Sequence, residues 1–156
     1  MKINYLSLCV SIYLLVGNIF AVFSNVYSSS EGFYPIFQEN SLQQDLDAIY
    51  KYRDEKKYDV AIERLSDLII ESKRLNEYDY TFHGYNMLSV IYHEINDTIP
   101  SLAYAKSALE FAKLSKNDTL ISWGYNNLAA SLSTNPNTRK QALEYYKNSL
   151  EIQQEL

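Results

Sequence analysis

"HGYNMLSVIY", residues 83–92, and "WGYNNLAASL", residues 123–132, are one phrase written twice. Gly84 matches Gly124, Tyr85 matches Tyr125, Asn86 matches Asn126 and Leu88 matches Leu128, each pair forty positions apart. The interval runs beyond the phrase. Ala48, Leu88 and Leu128 keep it, as do Tyr52, Tyr92 and Leu132, while Ala61, Ser101 and Ala142 are separated by 40 and 41. A fixed period of this size means stacked copies of one helical unit. A single helical hairpin cannot bury its apolar stripe; stacked on the next it can, so contact residues recur at the period.

The spacing inside each copy is helical. Ala48, Ile49 and Tyr52, then Ala61, Ile62, Leu65, Leu68 and Ile69, recur every three or four residues and mark one stripe on each of two helices. "LAYAKSALEFAKL" and "QALEYYKNSLEIQQEL" repeat that spacing. The breaks fall at "RDEKK", at Asn96–Pro100, at Lys116–Asp118 and at Ser133–Thr138. Apart from the charged "RDEKK", they hold the Asn, Asp, Thr and Pro that cap and start helices. The expectation is six helices in three pairs, at about 42–55, 58–75, 78–95, 99–115, 118–133 and 138–156. Ala61, Ser101 and Ala142 are small enough to let neighbouring helices approach, and Tyr52 and Tyr92 fill the space opposite. Gly84 and Gly124 fall inside helices, where Gly costs about 1 kcal/mol against Ala. A close helix crossing offsets that cost.

Composition narrows the function classes. The chain has 156 residues, 47% of them apolar, enough for one packed domain after a leader. Its charge is −5, from 14 Lys+Arg against 19 Asp+Glu, with no basic patch of the kind phosphate contacts need. Nucleic acid is therefore not an expected partner. Four Gly and three Pro leave little room for a turn-rich β fold. The one cysteine, Cys9, lies in the apolar leader, so neither an internal disulfide nor a cysteine metal cluster is available. Residues 1–28 carry Lys2 and then a long uncharged apolar run, the form of a cleaved secretory signal or an N-terminal membrane anchor. Either places the remainder outside the cytoplasm. Residues 29–40 read as a linker and 41–156 as the repeats, divided near 42–76, 78–116 and 118–156.

These residues resemble the tetratricopeptide repeat, whose pattern has a large residue, Leu-Gly and Tyr on the first helix, then Ala, an aromatic and Ala on the second. The second copy reads Tyr85, Leu88-Ser89, Tyr92, Ser101, Ala105 and Ala108; the third reads Tyr125, Leu128-Ala129, Leu132, Ala142, Tyr146 and Ser149. The first reads Ala48-Ile49, Tyr52, Ala61, Leu65 and Leu68. The period departs from the family's usual ~34 residues. Ser89, Ala129 and Ile49 stand where the family has Gly, and the final Pro is absent. The resemblance implies an all-α, right-handed superhelical stack of three hairpins. It also implies a partner groove lined by first helices, which by position gives His83, Asn86, Val90, His93, Trp123, Asn126 and Ala130 as partner-binding residues.

Asn86 and Asn126 offer donors and acceptors to a peptide backbone, and Trp123 a large amphipathic face. The alternative is that the two Asn bond to a neighbouring helix and Trp123 packs between hairpins. His83 and His93, ten apart on one helix, make a poor metal pair, and there is no phosphate loop or nucleophile motif. Longer repeats of this kind look like the extracytoplasmic sensor portions of Bacteroidetes-type regulators. The expectation is therefore an exported protein- or peptide-binding module, sensory or scaffolding, facing the periplasm, without catalysis, cofactor or metal. A small-molecule binder, for instance of sugars, is the alternative, as is a truncated sensor or an enzyme continuing past Leu156. "YKNSLEIQQEL" has no polar capping helix after it, which suggests a partial chain or a homodimer through the last helix.

Overall fold

The computed structural model describes residues 34–156, with side chains from Ser41 onward, so the leader, Cys9 and the start of the linker lie outside the described residues. The chain divides into two units, Met1–Asn40 and Ser41–Leu156. Among the described residues are six helices: α1 (Tyr34–Asp54), α2 (Tyr58–Leu75), α3 (Tyr78–Glu94), α4 (Thr98–Ser115), α5 (Asp118–Ser133) and α6 (Arg139–Glu155), the last preceded by a 3-10 turn, Pro136–Thr138. No strand occurs among them. Nor is any of these helices long and apolar enough to cross a membrane. The fold is all-α, with each helix packed on its neighbours in sequence. The α3/α4 and α5/α6 pairs make the most extensive contacts, and α3 also touches α5.

Helix α1 begins upstream of position 42, where the periodicity starts it. Pro35 lies in its first turn, where a missing N–H costs nothing. The other starts and stops follow the pattern closely, because the four connections up to α5 are tight. Lys56, Asn76, Asn96 and Lys116 all take the left-handed conformation, with φ of 57°, 60°, 63° and 58°, and each comes twenty residues after the last. In the first three the next residue's N–H reaches back to a helical carbonyl: Lys57 to Tyr52 at 2.9 Å, Glu77 to Ser72 at 2.9 Å and Asp97 to Tyr92 at 2.8 Å. The left-handed residue itself bonds three positions back, as at Lys56 to Arg53 (2.9 Å) and Asn96 to His93 (3.0 Å). This is the Schellman closure, which satisfies the orphan carbonyls of a helix end and reverses the chain in two or three residues. The forty-residue period is thus two twenty-residue steps, each a helix and a turn. The fifth connection breaks the rhythm: Asn135 accepts from the Asn137 N–H at 3.0 Å and Thr138 hydroxyl reaches the Leu132 carbonyl, adding the residue that turns 40 into 41.

The core is continuous along the helices of the second unit. Leu42, Leu46 and Ile49 of α1 meet Ala61, Leu65, Leu68 and Ile69 of α2 and Met87, Leu88 and Ile91 of α3. Ala105 and Leu109 of α4 meet Leu128, Ala129 and Leu132 of α5 and Ala142 of α6. Phe82, fully buried, fills the gap between Ala108 and Ala112 of α4 and Leu120 of α5.

Two devices bring the helices close. One is glycine. A Cβ on Gly84 would lie 2.5 Å from Cγ1 of Ile69, and one on Gly124 only 3.1 Å from Cα of Leu109. Both glycines therefore serve helix crossings, α3 over α2 and α5 over α4. The other is paired hydroxyls. Ser72 of α2 meets Thr81 of α3 at 2.8 Å. Ser89 of α3 donates to the Ser101 carbonyl of α4 at 2.9 Å, and Ser101 donates back to the Ser89 carbonyl at 3.0 Å. Ser101 Oγ also lies 3.3 Å from Ser131 Oγ of α5, and Ser122 of α5 meets Ser149 of α6 at 3.0 Å. All seven side chains are buried, and no buried side-chain N or O among the described residues lacks a partner. Buried hydroxyls satisfied in pairs fix the register of a crossing, because sliding by a turn would strand them without bonds.

On α6 the apolar residues Leu143 and Leu150 are 61% and 55% exposed, with Tyr146 between them at 38%. Forty-one positions earlier stand Leu102, Ala105 and Leu109, the residues with which α4 holds α5. The outer side of α6 thus repeats a stripe that elsewhere receives a helix.

Candidate functional site

The residues given by position lie on α3 and α5, the first helices of the second and third pairs, which touch each other. His83 and Trp123 occupy the second turns of these helices and meet edge to face, ring centroids 6.3 Å apart at 67°. On the other side of His83 is Tyr50 of α1, its hydroxyl 3.5 Å from Nδ1, long for a hydrogen bond. Tyr50, His83 and Trp123 thus form a row across three first helices. Trp123 is 47% exposed and Tyr50 37%, whereas His83 between them is half-buried and also backed by Phe82 at 5.2 Å. One ring of the row is held in place and the two outer ones keep open faces.

Below the rings the helices are tied by amides. Asn86 accepts a hydrogen bond from the side chain of Asn127, joining α3 to α5. Asn86 is therefore engaged with a neighbouring helix, as one of the two expectations had it, though the bond comes from the residue next to Asn126. Asn126 itself is exposed, as is His93, and Val90 and Ala130 are half-buried. The seven residues share the two helices, but only His83, Trp123 and Asn86 engage a neighbouring first helix through the contacts described. No group of His, Cys, Asp or Glu among the described residues is arranged to hold a metal ion.

Tyr50 and Asn127 are the members that the repeat does not give. By the forty-residue period, the first-pair equivalent of His83 and Trp123 is Gln43; Tyr50 reaches the row from two turns farther along α1. Asn127 is the equivalent of Met87, which is buried in the core. Tyr50 joins the row, and Asn127 the amide tie beside it, through local differences between the copies, so the period itself passes over them.

Arg53 and Asp47 lie near Tyr50, and Asp79 near His83. Burial pushes the Tyr50 phenol up; Arg53 draws it down and Asp47 pushes it up again. Burial likewise depresses the His83 imidazole, against a smaller upward pull from Asp79. The folded state then binds a proton on His83 less readily than the unfolded chain, whose pKa is about 6.5. Its contribution favours folding above that value and is lost progressively as pH falls from about 6.5 toward the lower folded pKa. We expect His83→Gln to flatten the stability profile in that window and leave the more acidic limb unchanged. Urea midpoints measured from pH 7 down to pH 5 check this; an unaltered slope would contradict it.

A second cluster closes the end of the first pair. Arg53 of α1 pairs with Glu94 of α3, and Tyr58 of α2 donates to the other Glu94 oxygen at 3.1 Å. Partial burial pushes the Glu94 carboxyl up, but hydrogen bonds from Arg53 and Tyr58 outweigh it and hold it below the usual carboxylate range. Arg53 and Glu94 side chains are each 31% accessible. The pair is a surface clamp across three helices, a class of contact with a modest energetic contribution.

No protein-family model, no curated protein and no solved structure matches this chain.

Proposed function

We propose that the chain is an exported helical-repeat module that binds a protein or peptide along its first helices, in a sensory or scaffolding role at a bacterial envelope. The observation that carries this is the Tyr50–His83–Trp123 row, two exposed aromatic faces flanking a ring held by packing. Rigid aromatics with open faces supply contact area at low entropic cost and dominate binding energy at such surfaces. Exposed Asn126 adds an amide able to donate to and accept from a peptide backbone. Further support comes from the likeness of residues 41–156 to the tetratricopeptide repeat, in which first helices face the ligand. Export rests on the leader residues alone. The reading assigns the chain no chemistry of its own.

Trp123 is the single tryptophan, so its emission reports directly on this face. Peptides selected from a random library against the full chain should shift that emission saturably. Trp123→Ala, which removes that reporter and is followed by calorimetry instead, should weaken their binding about tenfold or more, and Asn126→Ala less. Selected peptides that bind Trp123→Ala as tightly as the parent would place recognition elsewhere and defeat the proposal.

A second copy of the chain is a partner that the outer side of α6 favours. Leu143, Tyr146 and Leu150 there reproduce the α4 stripe that receives a helix. Sedimentation of the full chain should give a dimer that Leu150→Glu converts to monomer; a monomeric parent would remove this partner.

A further inference from the structure

In the first two pairs, the last apolar position of the first helix is a tyrosine, Tyr52 or Tyr92; in the third it is Leu132. The difference leaves a gap. In the second pair Tyr92 lies against Tyr104, centroids 5.5 Å apart, Tyr104 stacks on Tyr85 at 6.1 Å, and Tyr85 on Phe111 at 5.6 Å. Lys73 sits over both Tyr85 and Phe111, at 5.0 and 4.9 Å, and donates to the Tyr85 hydroxyl at 2.7 Å. That assembly is complete.

The third pair starts the same assembly and does not finish it. Lys113 sits 5.1 Å over Tyr125, and Tyr125 stacks on Tyr145 at 5.9 Å. Lys113, Tyr125 and Tyr145 follow Lys73, Tyr85 and Tyr104 by 40, 40 and 41 positions. Beyond Tyr145, where the ring of Tyr92 has its place in the second pair, Leu132 stops short. A cleft of about 380 Å³ opens there between α4 and α6, floored by Leu109, Leu128 and Leu132 and walled by Tyr145. Its volume is within the range of small-ligand sites. Lys106 and Lys113 stand on the rim with Glu110 between them, and neither lysine has an ion-pair partner among the described residues.

We infer that this cleft is a binding site for a small aromatic carboxylate, whose ring takes the place that Tyr92 fills in the preceding pair and whose acid group meets Lys106 and Lys113. The apolar floor and the Tyr145 face accept a ring by offset stacking. The rim carries two cations against one anion, which favours an acid over a neutral or cationic analogue. Its floor includes Leu128 and Leu132 of α5, the helix that carries Trp123, but the cleft shares no residue with the Tyr50–His83–Trp123 row.

The probe is 3-(4-hydroxyphenyl)propionate, titrated into the full chain with methyl NMR as readout. Saturable shifts confined to Leu109, Leu128 and Leu132 are expected, with an affinity in the millimolar range or tighter. Leu132→Tyr installs the missing ring. It should keep the helical circular dichroism and thermal midpoint of the parent while weakening probe binding at least tenfold. Lys106→Gln with Lys113→Gln, both surface changes, should weaken the probe severalfold and leave binding of neutral 4-methylphenol unaltered. Absence of saturation, undiminished binding to Leu132→Tyr, or equal loss of the acid and the neutral phenol in the lysine variant would each overturn the assignment.

Discussion

Gly124→Leu should unfold the chain or cost it about 3 kcal/mol or more, at the upper end of what overpacking a close contact costs. The reason is what a side chain would meet. At Gly124 the nearest obstacle is Cα of Leu109, 3.1 Å from an added Cβ, with two side-chain atoms of the same residue at 3.1 and 3.4 Å. Backbone cannot rotate away, so α5 would have to lift from α4. That separation would also open the Ser101–Ser131 contact and the packing of Leu128 and Ala129 on Ala105. Gly124→Ala is the graded control: it gains about 1 kcal/mol of helix propensity yet should still be net destabilising. Urea unfolding of the three proteins side by side checks the order; a stabilised Gly124→Ala would show that the crossing is looser than the distances require.

Phe82→Ala should cost about 3–5 kcal/mol, the usual range for emptying a large aromatic site in a core. Phe82 is fully buried, and it is surrounded on α4 by Ala108 and Ala112, which are too short to move into the space it vacates. The cavity therefore persists, which puts the loss toward the upper end. The third pair supplies a contrast. Ser122 and Ser149 stand where the second pair has Phe82 and Ala108, and they close the crossing through a hydroxyl pair at 3.0 Å. Ser122→Ala should cost less than Phe82→Ala because it removes a hydrogen bond and leaves almost no void. Thermal midpoints of both variants test this; equal losses would mean that the hydroxyl pair counts for as much as the ring.

Much of the fold was legible because the copies are alike where the core is. Leu88 and Leu128, or Ala61, Ser101 and Ala142, advertise their burial by recurring, and Gly84 and Gly124 advertise a crossing by standing in helices that propensity alone would deny them. Other features have no such mark. Lys56 and Lys116 turn the chain through a left-handed conformation that Gly or Asn adopts at less cost, so nothing in their identity announces the turn. Ser72, Ser89, Ser122 and Ser149 read as surface polar or merely small residues until their partners on the next helix are known. The start of α1 at Tyr34 was hidden for a different reason: residues 74–81 and 114–121, its copies at the period, hold the turns at Asn76 and Lys116, whereas here the helix runs through. The Tyr50–His83–Trp123 row mixes both cases. Trp123 and His83 share a repeat position, whereas Tyr50 reaches them by geometry alone.

The even cadence of the left-handed turns at Lys56, Asn76, Asn96 and Lys116 sets a parity rule for how such a chain can lengthen or shrink. Excising one helix with its turn would send every downstream helix through the molecule in the opposite sense, swapping inner for outer neighbours. Excising two would restore the heading and leave the same kind of seam to be closed. A change in helix number that keeps the stack must thus come in whole pairs, even though the covalent rhythm is half as long.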